Sequence, residues 1–118
     1  MERPRTSEKV EQANIVRLLR TLGASVYTLG TRRPRGDHPG TRQTPGLPDL
    51  YALLPAPRVR HGLPCAVWIE VQRHGGRLSP GQQQFRESCL MCGIAHIVGS
   101  CDAVIAWSTA GGWLTRRT

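Results

Sequence analysis

Two short segments of this 118-residue chain carry its most pointed chemistry: Gly46-Leu47-Pro48-Asp49-Leu50 and Val67-Trp68-Ile69-Glu70-Val71-Gln72. Each sets one carboxylate inside or beside an apolar run, Leu50 to Leu54 in the first case and Cys65 to Ile69 in the second. Short runs rich in aromatic and branched residues, bounded by Pro and Gly, favour central strands. A carboxylate at the edge of an apolar core is costly unless something pairs with it, and a metal ion is the commonest compensation. Side chains alternate along a strand, so Glu70 and Gln72 share one face and Val71 points to the other. Paired as a hairpin, the two strands let Asp49 face Glu70. Two carboxylates meeting there, with the Val71 carbonyl beside them, form a hard oxygen site suited to Mg²⁺ or Mn²⁺.

The remaining elements must position that pair. Thr6 or Ser7 caps a helix predicted to run to about Leu22, with Gly23 ending it and Glu8 well placed for the helix dipole. Its apolar stripe is Ile15, Leu18, Leu19 and Leu22. Continued backwards by helical steps, the stripe reaches Glu11 or Gln12 and then Glu8. Lys9 lies one step, about 100°, from Glu8 and is expected to face solvent. Ala24 to Leu29 is predicted as the first strand. A loop from Gly30 to Pro45 follows, carrying Arg32, Arg33, Arg35, His38 and Arg42 among Gly, Pro and Thr, and is expected to be mobile. Pro55 to Pro64 is a polar turn between the central strands, where Arg58, Arg60 and His61 are exposed. Arg73-His74-Gly75-Gly76-Arg77 is a short basic loop. It leads into a helix with Ser79 as N-cap and Pro80 at its first position, stopped by Gly93 after Cys92. Gln82, in its first turn, is directed back toward the strand end that carries Glu70. Ile94 to Val98 reads as a last strand, and Ser100 as the cap of a final helix from Cys101 to about Ser108. Trp107 and Trp113 cover either the core edge or a subunit contact.

Composition narrows the class. The length suits one domain, residues 1–118, and no apolar stretch approaches a membrane span or a signal-peptide core, so a soluble cytoplasmic protein is expected. The net charge is +8 and Lys9 is the single lysine, so nearly all the positive charge is arginine. Such a balance suits a polyanionic partner, and the arginine fork suits phosphate. The loop arginines Arg32, Arg33, Arg35 and Arg42, with Arg73 and Arg77, are the candidates for phosphate-backbone contact. Cys89 and Cys92 lack a matching second pair, so Cys65, Cys89, Cys92 and Cys101 read as reduced, mostly buried thiols, with Cys65 in the core of a strand.

The ordered set of Pro48-Asp49, Glu70-Val71-Gln72, the Trp-Ile-Glu-Val strand, Gly75-Gly76-Arg77-Leu78-Ser79-Pro80 and Gln82 resembles the VRR-NUC branch of the PD-(D/E)XK nuclease superfamily. The likeness extends from Glu8 to about Val98. It implies a restriction-endonuclease-like α/β fold, a mixed sheet flanked by helices with an αβββαβ core, which agrees with the element order read above. It implies metal-dependent hydrolysis of DNA phosphodiesters by a Mg²⁺- or Mn²⁺-dependent endonuclease, selective for branched or four-way DNA and acting as a homodimer. Asp49, Glu70 and the helix-1 glutamate Glu8 would serve the metal, with Gln82 near the active site. The chain departs from the family at Gln72, where the usual residue is lysine; glutamine can hydrogen-bond a water but brings no charge. That departure motivates a second expectation, a DNA-binding protein with the nuclease fold and little or no cleavage.

Overall fold

The computed structural model describes residues 7–29, 46–58 and 62–114. Thr6, Arg32, Arg33, Arg35, His38, Arg42, Arg60, His61 and the C-terminal arginines lie outside the described residues. Helix α1 spans Glu8–Thr21, and Ser7 caps it by accepting from the Val10 N–H at 3.3 Å. Ile15 and Leu19 form its fully buried seam, while Leu18 and Leu22 are half-buried. The chain turns at Gly23, whose φ of 89° lies in the left-handed region that glycine tolerates.

Four strands follow in a mixed sheet with spatial order β1-β2-β3-β4: β1 Ser25–Thr28, β2 Leu50–Leu54, β3 Cys65–Val71 and β4 Ala95–Gly99. β2 runs antiparallel to both of its neighbours, β1 and β3, and β4 runs parallel to β3. Helix α2, Pro80–Cys92, supplies the crossover that a parallel pair requires. Helix α3, Cys101–Ala110, closes the chain. This is a small α/β fold with one four-stranded mixed sheet and three helices. The first and last strands differ slightly from expectation: β1 is shorter than Ala24 to Leu29, and β4 is shifted one residue toward Gly99.

Alternation along the strands separates two faces. Val67, Ile69 and Val71 of β3 join Leu50, Ala52 and Leu54 of β2 in a core with Ile15, Leu19, Ile97 and Val104, so this face lies under α1 and α3. Trp68 points the other way, onto Phe85 of α2, with ring centroids 5.2 Å apart in an edge-on contact. Glu70 and Gln72 share the Trp68 side. Trp107 and Trp113 stack at 4.9 Å against the core edge, where the Trp113 indole donates to the Pro55 carbonyl at 2.7 Å. They cover core. The thiols are less buried than expected. Cys89 alone is buried, Cys65 and Cys101 are half-buried, and Cys92 is exposed; all four are free.

One cap is not where local sequence puts it. Ser100 precedes α3 but makes no side-chain hydrogen bond to it. The Glu11 carboxylate of α1 accepts the Cys101 N–H instead, at 2.7 Å, placing a negative charge at the positive end of α3. This fixes the two helices to one another and occupies Glu11 structurally. Glu11→Ala should therefore lower stability by about 1 kcal/mol, as loss of a helix cap does, while Ser100→Ala should change little. Denaturant unfolding of the two variants checks the assignment, and a larger loss for Ser100→Ala would reverse it.

Candidate acidic site at the end of the sheet

The β2–β3 register pairs Leu50 with Ile69, so the next step sets Asp49 opposite Glu70 at the end of the ladder. Two further steps of the same logic explain the local turn. Pro48 stands opposite Val71 and is fully buried. Asp49 then uses a side-chain oxygen on the sheet: its Oδ2 accepts the Val71 N–H at 2.9 Å. Its backbone carbonyl accepts from Leu29 at 2.9 Å, tying the same residue to the end of β1. Gly46 starts this turn with φ 90°, and a Cβ there would run into the backbone of Gly81 in the first turn of α2. Gly-Leu-Pro-Asp therefore docks on the helix that carries Gln82.

Glu70 is 3 % exposed. Its Oε1 accepts from the Gln82 amide Nε2, and its Oε2 is buried with no hydrogen-bond partner among the described residues. Gln82 is held for this task. Its Oε1 accepts the Ser79 N–H at 2.7 Å and its backbone N–H donates to Ser79 Oγ at 3.2 Å, a complete capping box at the start of α2. The box fixes which end of the amide faces Glu70. Each carboxylate of the pair thus has one oxygen held by a neighbouring element, leaving Asp49 Oδ1 and Glu70 Oε2.

Burial pushes the Glu70 carboxyl up from 4.5 to about 7, with the nearby charges of Asp49 and Glu8 adding to the rise and Gln82 opposing it. Burial also raises Asp49, against the pull of the Val71 N–H. Glu8 is exposed in the first turn of α1, close enough for Glu70 to feel its charge. Among the described residues, no group of three or more His, Cys, Asp or Glu side chains is gathered tightly enough to hold a metal ion. The acidic pair is therefore Asp49 and Glu70, with Glu8 acting from outside it.

Gln72 is 9 % exposed, and its backbone N–H donates to Gly99 at 2.9 Å. Its side-chain oxygen lies against Gly76, where any Cβ would collide with it, so the amide is folded under the Arg73–Gly76 turn. Arg73 and Arg77 are exposed on the loop that follows β3. On the α1 side, a cleft of about 1000 Å³ opens beside the acidic pair, lined by Glu8, Asp49 and Val71 and by the flank of α1. Lys9 lines this cleft too. Solvent exposure was expected for it, and a place on the wall of the site was not.

No protein-family model, curated protein or solved structure matches the chain.

The buried pair makes stability depend on pH in a direction opposite to ordinary carboxylates. Folded Glu70 holds its proton more tightly than the unfolded chain does, so folding takes up a proton between about pH 4.5 and pH 7. The metal-free protein should lose stability as pH rises through that window, by on the order of 3 kcal/mol. His96, lowered from 6.5 by burial and by Arg86, works the other way: its contribution is lost as pH falls below that value. The difference between wild type and Glu70→Gln isolates the acidic term. Denaturant unfolding in chelator, repeated across pH, should show that difference shrinking toward acid, and a flat difference would refute the buried charge.

Proposed function

We propose that the chain is a metal-dependent DNA endonuclease with a restriction-endonuclease-like fold, related to the VRR-NUC family. The observation that carries this reading is the Asp49–Glu70 pair, desolvated at the end of a sheet, with one Glu70 oxygen buried and without a partner among the described residues. A buried anionic oxygen calls for a cation or a proton. The strand order, with three antiparallel strands and a parallel fourth reached through α2, accords with the αβββαβ core that the resemblance implies.

The donor set is all oxygen, which fits Mg²⁺ or Mn²⁺. Asp49 and Glu70 would hold the ion, with the Val71 carbonyl beside them and Glu8 contributing through water. A divalent cation there supplies positive charge against the scissile phosphate and lowers the pKa of a bound water. The chain's own part is to keep the two carboxylates dry and oriented. Val71 N–H and Gln82 each hold one oxygen, and Gln82 keeps a neutral donor against Glu70. By the same resemblance the enzyme works on branched DNA as a homodimer, which would present two sites to two strands. The loop arginines Arg32, Arg33, Arg35 and Arg42, together with Arg73 and Arg77, would hold the phosphate backbone.

One observation favours a second reading, a DNA-binding protein with little or no cleavage. Gln72 stands where the family has lysine, and its neutral amide is packed under the Gly76 turn. Incubation of the purified protein with Mg²⁺ or Mn²⁺ on linear, flapped and four-way DNA separates the two. The expected result is metal-dependent cleavage, lost by roughly 100-fold or more in Asp49→Asn and Glu70→Gln with folding intact. In addition, Mn²⁺ should raise the melting temperature of the wild type and of neither variant. Equal metal stabilisation of all three proteins would assign the ion elsewhere, and binding without cleavage by the wild type would establish the second reading.

A further inference from the structure

The cleft beside the acidic pair has one strongly cationic wall. Lys9, Arg17 and Arg20 of α1 line it, with Gln12, Thr21 and Thr28. Lys9, Ala13, Val16 and Arg20 are spaced i, i+4, i+7, i+11 and so share one flank of the helix, with Arg17 next to them. That flank is turned nearly a third of the way round α1 from the buried seam of Ile15 and Leu19. The three cations are exposed, and none forms an ion pair with a carboxylate of the described residues. From Lys9 to Arg20 the helix rises about 17 Å, equivalent to roughly five nucleotides of one strand of a duplex. Among the described residues, the lining contains no aromatic side chain.

We infer that this flank of α1 is a phosphate-backbone track that delivers one DNA strand to the acidic pair. The inference deepens the endonuclease reading and rests on it for the destination of the strand. A phosphate approaching Glu8, Asp49 and Glu70 meets like charge. Cations set along its approach offset that repulsion, and α1 supplies them on the flank next to Glu8, beginning with Lys9 about 100° round the helix from it. Without an aromatic platform on which bases can stack, the track holds the backbone and is indifferent to sequence.

The test is binding of a labelled single strand and of the matching duplex in chelator, titrated across salt concentration. Each lost phosphate contact lowers the log–log slope by roughly 0.7 for a single strand and 0.9 for a duplex. R17Q/R20Q should therefore lose about 1.4 from the slope on the single strand and about 1.8 on the duplex, and R17K/R20K should keep the wild-type value. Lys9→Gln, changed separately, should lose about half as much, so a poorly folding double variant would leave the question answerable. Scrambling the DNA sequence should change nothing. A wild-type slope in R17Q/R20Q and in Lys9→Gln, or an equal loss in R17K/R20K, would overturn the track. Cleavage is assayed separately with Mn²⁺. A wild type that binds through these residues but never cleaves would sink the endonuclease reading and leave the track standing as a binding surface.

Discussion

The hydrogen bond from the Val71 N–H to Asp49 Oδ2 is where the sheet ends and the site begins. At the end of β3, Gln72, just past the strand, donates to Gly99 on one side, and Val71 donates toward β2 on the other. Toward β2 the register offers Pro48, which has no N–H to return, so the ladder cannot continue as a mutual backbone pair. A carboxylate accepts in place of a carbonyl. This single substitution of acceptor sets Asp49 across from Glu70 and gives β2 a defined start at Leu50. It also draws the Gly46 turn against the first turn of α2. Without it, the second carboxylate would have no fixed relation to the first.

Electrostatics then decides what occupies the space between them. Both carboxyl groups are raised, and the Glu70 value near neutrality means that a proton can sit on this carboxylate at ordinary pH. On the proposed reading a divalent cation would compete with that proton, and the surrounding charges leave room for either. Gln82 donates a hydrogen bond without bringing a charge, so it orients Glu70 without neutralising it. The cations of α1 lie along the cleft and make no ion pair with the carboxylates, so Glu8 remains available to the pair. A helix that bears Glu8 and Lys9 in consecutive positions presents both signs to one opening.

Much of this was legible in the sequence because it follows from local rules. The central strands, the Ser79-Pro80 helix start and the Gly93 stop each rest on a few adjacent residues, and alternation alone put Glu70 and Gln72 on one face. The opposition of Asp49 and Glu70 followed once a hairpin was assumed. What escaped depends on residues far apart in the chain. Glu11 and Cys101 are separated by 90 positions, and nothing around either announces the bond. The local rule named Ser100 instead. Lys9 is solvent-exposed as its angle to Glu8 implied, but its place on the cleft wall, marked by its spacing to Ala13, Val16 and Arg20, was not read. The direction of Gln82 toward the Glu70 end of β3 was legible, but the capping box that the same side chain closes with Ser79 was not read from the sequence.

Gln82 also carries a lesson about which sequences this architecture admits. The third position of a helix start accepts glutamate as readily as glutamine, since either reaches back to the cap N–H. For the helix alone the two are interchangeable, and the exchange would count as mild. Here the same side chain abuts a desolvated carboxylate. A glutamate would keep the helix start and set a further anion against Glu70, whereas an apolar residue would spare the charge and forfeit the cap. Glutamine satisfies both neighbours at once. The choice of residue at position 82 is thus dictated jointly by backbone geometry and by charge, which neither requirement would reveal alone.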